Sequence, residues 1–348
     1  MEPEAFMQRC LQLALNGSGR TAPNPLVGAV LVRNGHVLAE GWHRALGGPH
    51  AEVECLRAFG EGTVPADAVL YVNLEPCAHT GRTPPCADLL IARGVKHVVV
   101  GCSDPNPLVA GKGIQRLRDA GVQVQVDLLR DACRWTNRRF ITCFEQQRPY
   151  VVLKWARSLD GFLDDHGRTV RISSPATDVL VHRWRAEEQA ILVGSGTVLN
   201  DDPALTVRHV HGASPLRVVL DRSARIPAEA RVFDGSTRTL LFTGRSRSDV
   251  QADQCVIDTD TDPVKAVLAE LHRRSVRSLL VEGGARLLAH FIAHGPWDEA
   301  RVITGARPLG DGSPAPRLAH PAQRVLESGG DRISLHTNAT HVHDTWSW

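Results

Sequence analysis

The sequence predicts an α/β protein of two domains. Strand-like apolar runs alternate with amphipathic helical stretches up to residue 126, and the alternation starts afresh at Tyr150, just past Arg148-Pro149. The 348 residues also exceed what one core ordinarily needs. The domains are set at 1–147 and 148–348. An apolar fraction of 43% and a charged fraction of 22% belong to an ordinary globular protein. The formal charge of +2 argues against a broad nucleic-acid or membrane surface.

In the first domain, residues 4–15 place Phe6, Cys10, Leu11, Leu13 and Ala14 at near-helical spacing, and Asn16-Gly17 stops the helix. Segments 27–32 and 37–41 read as strands joined at Asn34-Gly35, a strong hairpin signal. His50 opens a helix that Gly60 follows, and 68–73 is a strand leading into a cysteine-containing loop. Cys86, after Pro84-Pro85, opens the next helix. Strand 96–101, helix 113–120 and strand 122–126 continue the alternation, and the amphipathic stretch 128–148 reads as a closing helix with a linker.

In the second domain, 151–153, 190–194, 216–221, 239–243, 279–282 and 301–304 read as strands. Segments 175–187, 263–273 and 285–294 read as helices, and 332–336 with 340–346 as a terminal strand pair. No run approaches the ~18 apolar residues of a membrane helix. The acidic start Met1-Glu2-Pro3-Glu4 is unlike a signal peptide. The eight cysteines form no regular disulfide framework, which favours a reducing compartment, and a cytoplasmic protein is expected.

The chemistry concentrates between residues 49 and 86. Pro49-His50-Ala51-Glu52 is followed by Glu75-Pro76-Cys77, and Cys86 closes the loop. One imidazole and two thiolates suit zinc, and three protein ligands leave a fourth position for water. Glu52 stands where a carboxylate takes and returns the water proton. H-x-E followed by P-C and a second cysteine is the signature of zinc-dependent deaminases, in which the glutamate is not a ligand. Here eight residues separate Cys77 from Cys86 where the generic pattern has two. His50 and Cys86 both fall at helix N-termini, whose dipole favours thiolate over thiol.

In the second half, Gly283-Gly284 follows a strand and opens a helix, an arrangement in which backbone amides approach a pyrophosphate. Gly194-Ser195-Gly196-Thr197 is similar. Arg185 and Arg208 are of the type that holds phosphate, against the alternative of solvated surface arginines.

The cysteine loop, Pro23-Asn24-Pro25-Leu26-Val27-Gly28 and Asp104-Pro105-Asn106-Pro107 resemble the deaminase half of the bifunctional riboflavin-biosynthesis deaminase/reductase family. Lys154-Trp155-Ala156-Arg157-Ser158-Leu159-Asp160-Gly161, the segment 197–208 and Val281-Glu282-Gly283-Gly284-Ala285-Arg286-Leu287 resemble its reductase half. The resemblance implies a cytidine-deaminase-like domain followed by a dihydrofolate-reductase-like one. It also implies zinc and NADPH as cofactors, a phosphorylated pyrimidine as substrate, and a homo-oligomer. Carried over, zinc falls to His50, Cys77 and Cys86, and catalysis to Glu52. Asn24 would contact the pyrimidine, and His79 and Arg82 its phosphate. NADPH would meet Arg157, Arg171, Thr197, Asp201 and Gly283 to Leu287. The ribose-phosphate substrate would meet Lys154, Thr169, Arg185, Leu205, Arg208 and Glu282. The sequence departs from the family at Arg157 and where Arg171-Ile172-Ser173-Ser174 replaces a tryptophan-containing stretch. Two other readings are a deaminase of another nucleobase with a binding domain, and an interaction module with structural zinc. The latter needs a fourth ligand, for which His43, His79 and Cys55 are the candidates.

Overall fold

The computed structural model describes residues 2–78 and 84–338, in two compact units, 2–146 and 147–338. His79, Arg82 and the strand expected at 340–346 lie outside the described residues.

The first unit runs α1 (Pro3–Leu15), β1 (Gly28–Arg33), β2 (His36–Trp42), α2 (Ala51–Phe59), β3 (Val69–Val72), α3 (Cys86–Ala92), β4 (His97–Val100), α4 (Lys112–Asp119), β5 (Gln123–Gln125), α5 (Arg130–Thr136) and α6 (Arg138–Glu145). Its sheet has the order β2-β1-β3-β4-β5, antiparallel at the first two pairings and parallel at the last two. The β1–β2 turn falls at Asn34 (φ 50°) and Gly35 (φ 77°), the doubly positive φ of a two-residue hairpin. Alternate residues of β1 serve two cores. Ala29 and Leu31 pack with Leu56, Leu90 and Leu117 from α2, α3 and α4. Val30 and Val32 pack with Phe6, Met7, Leu13 and Ile141 from α1 and α6. The result is a sheet sandwiched between helices.

The stretch read as a single closing helix is two, broken at Asn137. Asn137 turns its side chain onto the backbone of Leu26, accepting from the amide at 2.8 Å and donating to the carbonyl at 3.0 Å.

The second unit runs β6 (Tyr150–Arg157), α7 (Pro175–Glu187), β7 (Ala190–Gly194), α8 (Ser195–Asp201), β8 (Leu216–Asp221), β9 (Thr239–Thr243), β10 (Asp253–Val256), α9 (Pro263–Arg273), β11 (Ser278–Val281), α10 (Ala285–His294), β12 (Glu299–Thr304), β13 (Arg324–Ser328) and β14 (Asp331–Thr337). The nine-stranded order is β10-β9-β8-β7-β11-β6-β12-β14-β13, parallel from β10 to β12 and antiparallel beyond. β6 alternates like β1. Val151, Leu153 and Trp155 face Val267, Leu271 and Phe291 of α9 and α10. Tyr150 and Val152 face the core that holds Val198, Ile226 and Phe233. β10 is an edge strand that periodicity did not reveal, because Asp253-Gln254-Cys255-Val256 is short and polar at its start. The partner of β14 among the described residues, beside β12, is β13, reached through Gly329-Gly330.

Candidate active sites

His50 caps the N-terminus of α2, Cys86 is the first residue of α3, and Cys77 ends the chain segment leaving β3. These three approach because β1 and β3 are neighbours and α2 and α3 pack on the same sheet face. Their donor atoms lie within 4.8 Å of one another. His50 Nδ1 is 3.3 Å from Cys86 Sγ and 3.6 Å from Cys77 Sγ. The Cys86 amide donates to Cys77 Sγ at 3.3 Å, and the Ala87 amide to the Cys77 carbonyl at 3.2 Å. The Cys86 thiol donates to Cys77, which with His50 nearby draws the Cys77 thiol down to about 4. A divalent cation held by these residues would take the place of that shared proton. One nitrogen and two sulfurs, converging in this way, fit zinc with one coordination position to spare.

Glu52 is the second residue of α2 and is buried. Burial pushes its carboxyl up to about 6, against the opposing pull of His50. Of the fourth-ligand candidates, Cys55 is buried with its thiol directed to the Ala39 carbonyl, and stands outside the cluster. His43 stands outside it too. Its Nδ1 lies 2.9 Å from the Pro49 carbonyl, so that nitrogen carries the proton. Nε2 is then an acceptor for the Asn24 amide at 3.2 Å, and burial favours this neutral ring. Asn24 is thereby held with its amide nitrogen toward His43 and its carbonyl oxygen turned away. Sequence reasoning missed Asn73 and Asn137 as supports of this segment. Asn73 accepts from the Gly28 amide at 2.8 Å and donates to the Leu26 carbonyl at 3.0 Å. A buried asparagine at the end of a strand was the available signal.

In the second unit a cavity of about 860 Å³ opens at the carboxyl ends of β6, β7, β8 and β11, where ligands of parallel α/β sheets bind. Lys154, Thr169, Arg171, Thr197, Asp201, Glu282 and the 283–287 turn all line it. Gly194 and Gly196 present bare backbone, with no neighbour in the way of a Cβ. A Cβ at Gly284 would meet Thr197 Oγ1 at 3.3 Å. This is a cradle of main chain and small side chains suited to a pyrophosphate. Thr169 donates to the Asp201 carboxylate, joining two residues 32 apart in sequence.

Four expected contacts lie away from the cavity lining. Arg157 donates to Thr304 Oγ1 at 3.1 Å. Leu205 is core. Arg208 reaches Thr206 Oγ1 at 3.1 Å, and its amide donates to His182 Nδ1 at 2.9 Å. Arg185 is committed to Glu282, with bonds of 2.8 and 2.7 Å, and Lys154 Nζ stands 3.5 Å from the same carboxylate. Burial raises Glu282, but the two cations outweigh it and hold the carboxyl down at about 2. Arg171, which does line the cavity, pairs with Asp178 at 2.5 Å. Arg222, Ser223, Arg225 and His290 also line the cavity, and sequence reasoning did not single them out.

Fold and sites together define a two-domain enzyme, a deaminase with a zinc-binding region joined to a pyrimidine reductase. Residues 1–102 match the cytidine and deoxycytidylate deaminase zinc-binding region, and residues 149–327 match the RibD C-terminal domain. The chain belongs to the RibD family of bifunctional riboflavin-biosynthesis proteins. It is 37% identical to riboflavin biosynthesis protein RibD of Synechocystis sp. over 98% of this chain and 92% of that one. The RibD protein of Aquifex aeolicus is 40% identical over 88% of each chain. The solved diaminohydroxyphosphoribosylaminopyrimidine deaminase/5-amino-6-(5-phosphoribosylamino)uracil reductase of Thermotoga maritima superposes with a TM-score of 0.86 at 35% identity, covering 96% of this chain and 98% of that one. Acinetobacter baumannii RibD gives 0.88 at 36% identity with the same coverage. No helix among the described residues is long and apolar enough to cross a membrane.

Proposed function

We propose that residues 1–147 deaminate 2,5-diamino-6-ribosylamino-4(3H)-pyrimidinone 5′-phosphate, and that residues 148–348 then reduce its ribosyl to a ribityl chain with NADPH. The observation that carries this reading is the meeting of His50, Cys77 and Cys86 beside a buried Glu52. His50, Cys77 and Cys86 would hold zinc, which when bound supplies the Lewis acidity that makes water a nucleophile near neutral pH. Glu52 takes the two protons of the attacking water in turn, passing the first to the ring nitrogen and the second to the departing amino group, so water enters and ammonia leaves. Burial keeps Glu52 near the range in which it both accepts and donates. Asn24, oriented by His43, binds the edge of the pyrimidine, and His79 with Arg82 receives the phosphate.

In the second domain NADPH, when bound, supplies the hydride that opens the ribose at C1′. Gly283 to Leu287, Thr197 and Asp201 line the space for it, and Arg171 flanks that space. Lys154, held by Glu282, faces the reacting sugar, and Thr169 braces Asp201. Arg185 acts through Glu282 as a counter-ion, Leu205 shapes the wall behind, and Arg208 and Arg157 serve at the periphery. The proposal includes a cytoplasmic homo-oligomer acting on small phosphorylated pyrimidines and not on nucleic acid. The small net charge and the irregular spacing of the eight cysteines support the compartment and the substrate class.

Three measurements on one preparation test the proposal: bound zinc, ammonia release from the pyrimidinone phosphate, and NADPH oxidation with the deaminated compound. Zinc with both activities is expected. Ammonia release without any NADPH binding would leave a deaminase with a second domain of another use.

A further inference from the structure

We propose that Glu75 is the positioning residue of the metal centre: its carboxylate fixes the Cys77 loop by docking it on the start of α4. The inference rests on the assignment of His50, Cys77 and Cys86 as zinc ligands. Glu75 lies two residues before Cys77 and is 4% exposed. No salt bridge reaches it among the described residues. Its Oε1 accepts from the Gly113 and Ile114 amides at 3.0 and 3.2 Å, and Oε2 from the Asp104 and Gly111 amides at 3.2 and 3.0 Å. A buried carboxylate is tolerated only when its oxygens are met in this way.

Two of the four donors are orphan amides in the first turn of α4. The helix has no side-chain cap of its own, because its N-cap residue is Gly111. Glu75 therefore caps α4 from a distant part of the chain. The same contact brings Pro76 onto Gly113, where a Cβ would stand 1.9 Å from the Pro76 carbonyl oxygen, so only glycine allows the approach. The Glu75 amide donates to the Cys102 carbonyl at 3.0 Å, tying the exits of β3 and β4. Cys77 thus leaves a segment pinned on its N-terminal side by Glu75 and held on its own side by the amides of Cys86 and Ala87. Outer partners of this kind set where a ligand atom stands, and their loss commonly costs about 10–100-fold in metal affinity or activity.

The test compares full-length wild type, Glu75→Gln and Glu75→Asp by the rate of zinc transfer to a chelator and by the thiolate-to-metal absorption of the cobalt(II)-loaded protein. Glutamine turns an NH₂ group onto two amide donors. The expected result is release about tenfold faster or more and an altered cobalt band, with aspartate between glutamine and wild type. Release within about twofold of wild type and an unchanged band, even with a lower melting temperature, would overturn the proposal and leave Glu75 a fold residue only. Should Glu75→Gln fail to fold, Glu75→Asp decides by the same two readouts. Wild-type protein that binds no zinc, or a Cys86→Ala variant that keeps it, would instead remove the ligand assignment.

Discussion

Glu282 accepts two hydrogen bonds from the guanidinium of Arg185, at 2.8 and 2.7 Å, with both side chains almost wholly buried. The pairing makes Arg185 a counter-ion and leaves Lys154 as the cation that both touches Glu282 and lines the cavity. The carboxyl is depressed in the folded chain, from an ordinary 4.5 to about 2. A depressed carboxyl contributes stability that is present above the unfolded value and lost as pH falls through the folded one. Denaturant unfolding should therefore show wild type losing its advantage over Glu282→Gln as pH drops from about 4.5 to about 2. At neutral pH, Arg185→Ala should destabilise by roughly 3–5 kcal/mol, because it takes both guanidinium hydrogen bonds from a buried carboxylate and leaves it only Lys154 at 3.5 Å. A parallel pH profile for wild type and Glu282→Gln would contradict this.

Zinc should be present at one per chain, and His50→Ala, Cys77→Ala and Cys86→Ala should each lose it, as read by elemental analysis after dialysis. The donor atoms converge within 4.8 Å with no fourth protein ligand among the described residues, so removing one leaves too few to hold the ion. Retention of zinc in both cysteine variants would move the ligands elsewhere.

Glu52→Gln should keep zinc and fold while slowing ammonia release by about 10²–10⁴. NADPH oxidation with the already deaminated compound should stay near wild type, since that chemistry belongs to the other unit. Deamination within about threefold of wild type would be far short of the loss of a general acid–base group and would remove Glu52 from this role.

Asn73→Ala should destabilise the first unit by about 1–3 kcal/mol, because the buried Gly28 amide loses its acceptor. The Leu26 carbonyl keeps its bond from Asn137, so the Asn24 segment should loosen without leaving its place. Deaminase kinetics should then show KM raised more than kcat lowered. An effect on kcat alone, with KM unchanged, would argue that Asn24 does not bind the substrate.

Much of this was legible in order along the chain. Asn34-Gly35 announced its hairpin because a two-residue turn has a local backbone requirement. His50 and Cys86 announced helix starts through the prolines before them. The break at Asn137 was illegible because its cause is Leu26, 111 residues away in sequence. Arg185 read as a phosphate ligand because a free guanidinium and a paired one have the same sequence. Only the fold brings Glu282, 97 residues on, against it.

The sequence by itself determined the α/β layering, the donor types for zinc and the glycine turns, all consequences of residue chemistry at short spacing. Tertiary structure alone decided which charges are spent on one another, which ring nitrogen faces Asn24, and that Glu75 caps a helix beginning 37 residues after it. Those depend on which segments the parallel and antiparallel pairings bring side by side. A buried polar group must take its partner from whatever that packing supplies.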